Sequence, residues 1–346
     1  MKTFKLRNGG TVSFDGMSAS VVDSGKTTTL DSAVATAIGN TYVDADAGVF
    51  FQRQLELIKA KSYDVRYAEL KARELFPVAS EGGPGITTIT YRTYDQVGAA
   101  KIINAYADDL PRADISGKET SVPVRSVGIS YGYNFDEINS SALSGAALDQ
   151  RRANAARRSV EQTVNQVAFY GDAESGLTGL FDNPNIPTGA VVNPGAGTNW
   201  ASKTPDEILF DINELFADIF ETTKMVESGN TLLLPPNQWS YIMATPRASN
   251  SDTTIGQYVA QNSPFIGSVS DIIPVNEFAA ANNPQLAADA MMAYDRSPDK
   301  VELNIPVELE MLPVQQKNLE FTIPGRSRLG GLSIYYPLAF AIATGI

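Results

Sequence analysis

Apolar residues recur at four-residue steps through residues 143–181. Leu148, Ala156, Val160, Val164 and Ala168 fall on one line with Arg152, and Val167 lies beside it. That spacing predicts a helix over about 143–171 with one narrow buried stripe. Ser144 is the expected N-cap and Gly171 the expected C-cap. At 1.5 Å per residue, about 25 residues make a rod of roughly 37 Å. So thin a stripe on so long a rod fits a helix lying across a thin plate, its other sides facing neighbours or solvent. A second pattern, from Pro205 onward, places Ile208, Ile212, Leu215, Phe216, Ile219 and Phe220 on one broad face. Thr204, Pro205 and Glu207 form a capping-box start for this helix, which should belong to a true core. Glu207, Glu214 and Glu221, seven apart, should sit on its solvent face.

The flanking segments read differently. Residues 1–48 are rich in Ser, Thr, Gly and Ala with little periodicity, as an extended arm would be. Residues 49–61 carry Phe51, Leu55 and Ile58 at helical spacing, and 63–77 turn extended. After the Gly/Pro break at 81–85, residues 86–104 alternate as strands around a turn near Tyr94-Asp95, and a second extended run returns over 121–128. This two-stranded excursion is too polar to hold a core, so it should dock on this molecule or a neighbour. Tyr131, Tyr133 and Phe135 then alternate before a short helical turn. A Pro/Gly/Asn-rich linker follows at 183–198. Strands at 231–234, 271–275 and 290–294, with short helices after Pro235 and over 254–261, make an α+β unit of about 100 residues. Strands over 301–346 close the chain. The final run, 332–346, is too short to span a bilayer, contains Pro337, and reads as a buried strand.

Composition narrows the chemistry. The chain has 346 residues, 43% hydrophobic, with no Cys and no His. Thiolate catalysis, disulfides and thiolate or imidazole metal sites are therefore excluded. Carboxylate, Lys, Tyr or Ser–Lys chemistry stays open. No secretory signal is visible, so a soluble protein made inside the cell is expected. The net charge of −12 is uneven: residues 201–300 hold 5 basic and 13 acidic side chains. No basic stripe beyond the helix arginines is present to grip nucleic acid.

Several motifs fall to simpler readings. Residues 24–27, Ser-Gly-Lys-Thr, lack the Gly a phosphate loop needs at position 20, where Ser20 stands. Asp44 and Asp46 fall short of a calcium loop, and Asp108, Asp109 and Asp114 read as a polar loop tip. The pairs Arg151-Arg152 and Arg157-Arg158 lie on different helix faces. They serve either a solvated face, with Arg157 and Glu161 paired at i,i+4, or ion pairs with another subunit. No catalytic, metal or cofactor-binding residue is assigned.

After its Gly stop the long helix is followed by Gly176-Leu177-Thr178-Gly179-Leu180, and the chain closes with Gly330-Gly331 and, further on, Pro337-Leu338-Ala339. With the stretches Tyr91 to Asp95 and Ala107 to Pro111, and the order of parts, the chain resembles tailed-bacteriophage major capsid proteins of the Hong Kong 97 type. The resemblance covers nearly the whole chain. It implies an α+β fold with an N-terminal arm (1–50), the first part of a peripheral domain (51–85) and an extended two-stranded E-loop (86–127). The rest of the peripheral domain (128–189) holds the spine helix at about 143–171. An axial domain (190–300) and closing peripheral strands (301–346) complete it. It also implies a structural, non-enzymatic subunit that assembles in the host bacterial cytoplasm. Pentamers and hexamers would form an icosahedral virion head loosely enclosing double-stranded DNA.

Partners under that resemblance are further copies of the chain, then scaffolding, portal and decoration proteins, with no membrane and no cofactor. No long coiled-coil segment opens the chain, so a scaffold is separate or absent. Interface candidates are Arg151, Arg152, Arg157 and Arg158 on the helix, and Arg92, Lys101, Arg112 and Lys118 in the loop. Some relatives join a loop Lys to an Asn on a neighbour, but nothing in this sequence identifies such a partner. A nanocompartment shell of the encapsulin type is the alternative within this fold. A carboxylate-dependent enzyme sited in 200–300 and a β-rich tail protein are the rivals outside it.

Overall fold

The computed structural model describes residues 2–5, 11–14, 19–23, 26–30, 65, 67–102, 110–144, 148–191, 199–248 and 250–346. The chain forms two compact units, 1–67 and 68–346. In the first unit β1 (Lys2–Lys5), β2 (Thr11–Phe14), β3 (Ala19–Asp23) and β4 (Lys26–Leu30) pair antiparallel in sequence order. Within the stretch expected to form an arm, the described residues are thus paired strands. Their four- and five-residue runs of Thr, Val and Phe are strand formers too short to register as periodicity. Lys26 and Thr27 start β4, paired with Asp23 and Val22. The helix predicted over 49–61, Asp44 with Asp46, and Asp108 with Asp109 lie outside the described residues.

The second unit opens with α1 (Ala72–Leu75), a single turn inside a stretch expected to be extended, and β5 (Val78–Ala79). Next, β6 (Thr88–Val97) and β7 (Asp114–Pro123) form a hairpin with ten consecutive pairs, from Thr88 opposite Pro123 to Val97 opposite Asp114. The turn predicted near Tyr94-Asp95 is absent: Tyr94 pairs with Gly117 and Asp95 with Ser116. The local turn preference of one Asp is outweighed by an unbroken ladder. The chain continues through β8 (Arg125–Asn134), α2 (Phe135–Ser144) and α3 (Leu148–Tyr170). Ser144 thus ends α2 rather than capping α3, and the long helix of 23 residues is about 35 Å long.

The remaining elements are β9 (Thr188–Ala190), α4 (Pro205–Thr222), β10 (Thr231–Leu234), α5 (Pro236–Ala244), α6 (Ile255–Asn262), β11 (Ile272–Pro274) and β12 (Ala290–Tyr294). Then come β13 (Val301–Asn304), β14 (Val307–Met311), β15 (Gln315–Lys317), β16 (Glu320–Leu329), β17 (Gly331–Ile334) and β18 (Phe340–Thr344). The C-terminal run is two strands rather than one, separated by a short 3-10 turn at Pro337–Ala339. β17 joins β13 and β5, whereas β18 lies between β12 and β9 in a five-stranded sheet ordered β11-β10-β12-β18-β9. The closing segment therefore contributes a strand to each of two sheets, β17 to the one with β13 and β5 and β18 to the five-stranded one.

That five-stranded sheet is buried on both faces, which is why Thr-Leu-Leu-Leu and Ala-Met-Met-Ala-Tyr read as continuous apolar runs. Leu233, Met292, Tyr294, Phe340 and Ile342 face one core, together with Val160, Val164, Val167, Ala168 and Phe169 of α3. Leu232, Leu234, Met291, Ala293, Ala341 and Ala343 face the other, with Ile208, Ile212, Leu215, Phe216 and Ile219 of α4. The period of two sends alternate side chains to opposite cores. Two helices with 3.6-residue stripes close the sandwich. A separate antiparallel ladder couples β16 to β8 over ten pairs, with β14 and β15 on the other side of β16.

Candidate assembly interfaces

The end of α3 shows what the Gly-Leu-x-Gly-Leu segment does. Gly171 takes a positive φ of 72° and its N–H reaches the Val167 carbonyl at 3.0 Å, the expected C-cap. The chain then folds back so that the N–H groups of Leu180 and Phe181 reach the carbonyls of Ala168 and Phe169, each at 2.9 Å. Two of the helix's terminal carbonyls are thus satisfied by its own return loop and a third by the Gly171 cap. Leu177 and Leu180 are buried in the core beneath. Thr178 accepts from the Leu332 N–H at 3.3 Å, which ties the loop to β17. The rod is held rigidly at this end.

At its other end α3 is clamped by Arg152. Its two terminal nitrogens each lie 3.0 Å from a carboxylate oxygen of Glu137 on α2, and one also donates to the Gly132 carbonyl on β8. The guanidinium sits over the Tyr133 ring, 4.7 Å from its centroid. It holds the exposed Glu137 carboxyl below its usual range by hydrogen bonding. Arg158 donates to the Ala68 carbonyl at 3.0 Å. Arg152 and Arg158 are partly buried and engage their own chain in the subunit. Arg151 and Arg157 are exposed on α3. Glu161, expected to pair with Arg157, instead meets Arg73 at 2.7 Å.

Arg73 was not legible as important. It bridges Glu161 on α3 and Glu308 on β14, contacting both Glu308 oxygens at 2.7 and 2.8 Å. The Arg73 hydrogen bond lowers the Glu308 pKa from its ordinary value, with burial opposing. These partners stand 88 and 235 residues from Arg73, so no local spacing could reveal them.

The hairpin presents the other candidates. Arg92 and Glu119 are direct cross-strand partners, 2.7 Å apart and well exposed. Lys101, Arg112 and Lys118 are exposed as well. So are large apolar residues near the tip: Ile102 is 97% exposed, Ile115 66% and Leu110 61%. At the root, Val122 is buried and the Tyr91 ring packs edge-on against Tyr335, with centroids 4.9 Å apart. A cleft of about 840 Å³ separates the hairpin from the body, with Thr93, Lys118 and Thr120 on one wall and Thr178, Asn185 and Leu338 on the other. The hairpin is thus rooted firmly and apolar where its own chain leaves it uncovered.

A long helix fixed at both ends and a hairpin packed at its root, with Ile102, Leu110 and Ile115 exposed beyond it, are the features on which contacts with other copies could be built. Residues 98–346 match the family model described as "Major capsid protein". The chain belongs to the major capsid protein family. Solved structures share its fold. The capsid of Myoviridae phage XM1 aligns with a TM-score of 0.74 and 18% identity over 87% of this chain and 100% of that one. The capsid of a native GTA particle gives 0.57 and 10% identity over 88% and 99%. Microbacterium phage Oxtober96 gives 0.56 and 14% identity over 83% and 96%. No curated protein matches. The fold is the α+β Hong Kong 97-like one, and this major capsid protein is a structural subunit of a capsid. The encapsulin alternative has less support than the phage assignment. No helix among the described residues is long and apolar enough to cross a membrane.

The major capsid protein also buries charge where its sequence suggested a plain core. Lys203 and Asp211 are fully buried and 2.6 Å apart, and the Trp200 Nε1–H donates to the same Asp211 oxygen at 2.9 Å. Burial raises the Asp211 pKa above its ordinary value, with the Lys203 hydrogen bond opposing. Glu207 accepts from the Thr204 backbone and hydroxyl, which completes the capping box on α4 and lowers its pKa. It is a structural cap rather than only a surface acid.

Proposed function

We propose that this subunit assembles as pentamers and hexamers into an icosahedral head, with the β6–β7 hairpin reaching over a neighbouring copy. The observation that carries this reading is a ten-pair hairpin, packed at its root, with the apolar Ile102, Leu110 and Ile115 exposed toward its far end. Fully burying an Ile side chain stabilises by about 1.5–3 kcal/mol. One docked tip is therefore a modest contact, and a closed ring multiplies such contacts through effective concentration. Arg92, Lys101, Arg112 and Lys118 on the hairpin, and Arg151 and Arg157 on α3, supply charged contacts around it, Arg forking onto carboxylates. The axial region carries the surplus of acid, so DNA is enclosed loosely rather than gripped. Scaffolding, portal and decoration proteins complete the head in the host cytoplasm, and the subunit carries out no catalytic step.

The test is negative-stain microscopy of the chain expressed alone, beside Ile102→Asp and Ile115→Asp. The parent should form closed shells or capsomers, and the variants should remain folded but unassembled. Normal particles from both variants would remove the hairpin from the interface. Deleting residues 1–40 should likewise leave a subunit that fails to close shells.

A further inference from the structure

The buried pair at the start of α4 is unusual in what it lacks. Asp211 Oδ2 receives Lys203 Nζ at 2.6 Å and Trp200 Nε1–H at 2.9 Å, while Asp211 Oδ1 is buried with no hydrogen-bond partner. Both side chains have no solvent exposure. A buried ion pair recovers its desolvation cost only if the remaining lone pairs are satisfied, and here one oxygen is not. Moving one proton from the ammonium to the carboxylate would relieve the charge, and the raised Asp211 pKa runs in that direction. The product is a neutral amine held against a neutral carboxylic acid in an apolar site.

That arrangement has a chemical consequence. We propose that Lys203 and Asp211 condense into an intrachain amide, an isopeptide bond closing a loop from the turn before α4 onto its second turn. The step balances without a further reagent. Lys203 Nζ attacks Asp211 Cγ and a C–N bond forms. The second amine proton passes to protonated Oδ1, the Cγ–Oδ1 bond breaks, and one water leaves. Trp200 Nε1–H stays on Oδ2 throughout and stabilises the negative charge that develops there. Fixed, contacting groups supply the orientation that a bimolecular condensation lacks. The product removes both buried charges and the unsatisfied oxygen and keeps the Trp200 hydrogen bond. The bond lies inside one chain, and its formation is independent of assembly.

Mass spectrometry of the purified full-length chain tests this directly. The intact mass should fall short of the sequence mass by about 18 Da, one water. Tryptic digestion should leave Lys203 uncut and yield residues 159–224 as one peptide, since no other Lys or Arg lies between Arg158 and Lys224. Its fragmentation should show no backbone breaks between 203 and 211, because the loop holds both ends. Lys203→Arg and Asp211→Ala should each return the full mass. An unmodified parent mass after prolonged incubation of the folded chain would overturn the proposal. So would a loss of water with Lys203 still cut by trypsin, which would place a dehydration elsewhere.

Discussion

Replacing Gly179 by Ala should be among the most damaging single-methyl changes in this protein. Gly179 does not need glycine for its backbone angles. A Cβ there would stand 2.2 Å from the Gly171 nitrogen, 2.7 Å from the Tyr170 carbonyl carbon and 2.8 Å from the Phe169 oxygen. All three are backbone atoms at the end of α3, so no flexible side chain can yield. The return loop must lift away and lose the Leu180–Ala168 and Phe181–Phe169 hydrogen bonds, worth about 1 kcal/mol each. Displacing the fully buried Leu180 adds about 1–3 kcal/mol. The sum is about 3–5 kcal/mol. Gly176, three residues away in the same motif, is the control. It has a φ of +74°, but its added Cβ meets only Pro123 Cγ at 3.6 Å, so Gly176→Ala costs about 1 kcal/mol of backbone strain. Urea unfolding of the unassembled subunits, followed by tryptophan fluorescence, measures both. A Gly179→Ala variant within about 1 kcal/mol of the parent would refute the close-packing account of the motif.

Other substitutions separate internal clamps from outward contacts. Arg73→Met should destabilise the subunit by about 1–2 kcal/mol at neutral pH, discounted because Glu308 is half exposed. The folded Glu308 pKa is depressed, so its contribution is present above the unfolded value of about 4.3 and lost as pH falls through the folded one. The gap between parent and Arg73→Met in urea midpoints should therefore shrink in acid, and a gap independent of pH would contradict the pairing. Arg152→Ala should lower the melting temperature measurably, since the clamp joins α2, α3 and β8. Arg112→Glu and Lys118→Glu should leave it within about 1 °C, because exposed charges contribute little to the monomer, yet reduce particle yield by electron microscopy. Equal yields from both would remove these two residues from the interface.

What was legible in the sequence follows from range. The α4 helix, its Thr204–Glu207 capping box, the Gly171 stop and the strands at 231–234 and 290–294 depend on neighbours within a few residues, and periodicity reports them faithfully. The capsid resemblance rested on the order of these local parts. The split of the terminal run into β17 and β18 was not legible, because each strand is chosen by partners far along the chain. Nor was the straight passage of β6 through Asp95, where ten ladder pairs outweigh one turn-forming residue.

The arginines divide along the same line. Composition and helical spacing placed four of them on α3, but only tertiary structure decided that Arg152 and Arg158 turn inward while Arg151 and Arg157 stay exposed. A side chain five bonds long selects among carbonyls and carboxylates that the fold brings within reach, and those lie on α2, β8 and the entry to α1. Sequence by itself determined the local elements and the exclusion of thiol and imidazole chemistry. Long-range pairing determined which surfaces were consumed inside the subunit and which remained for its neighbours.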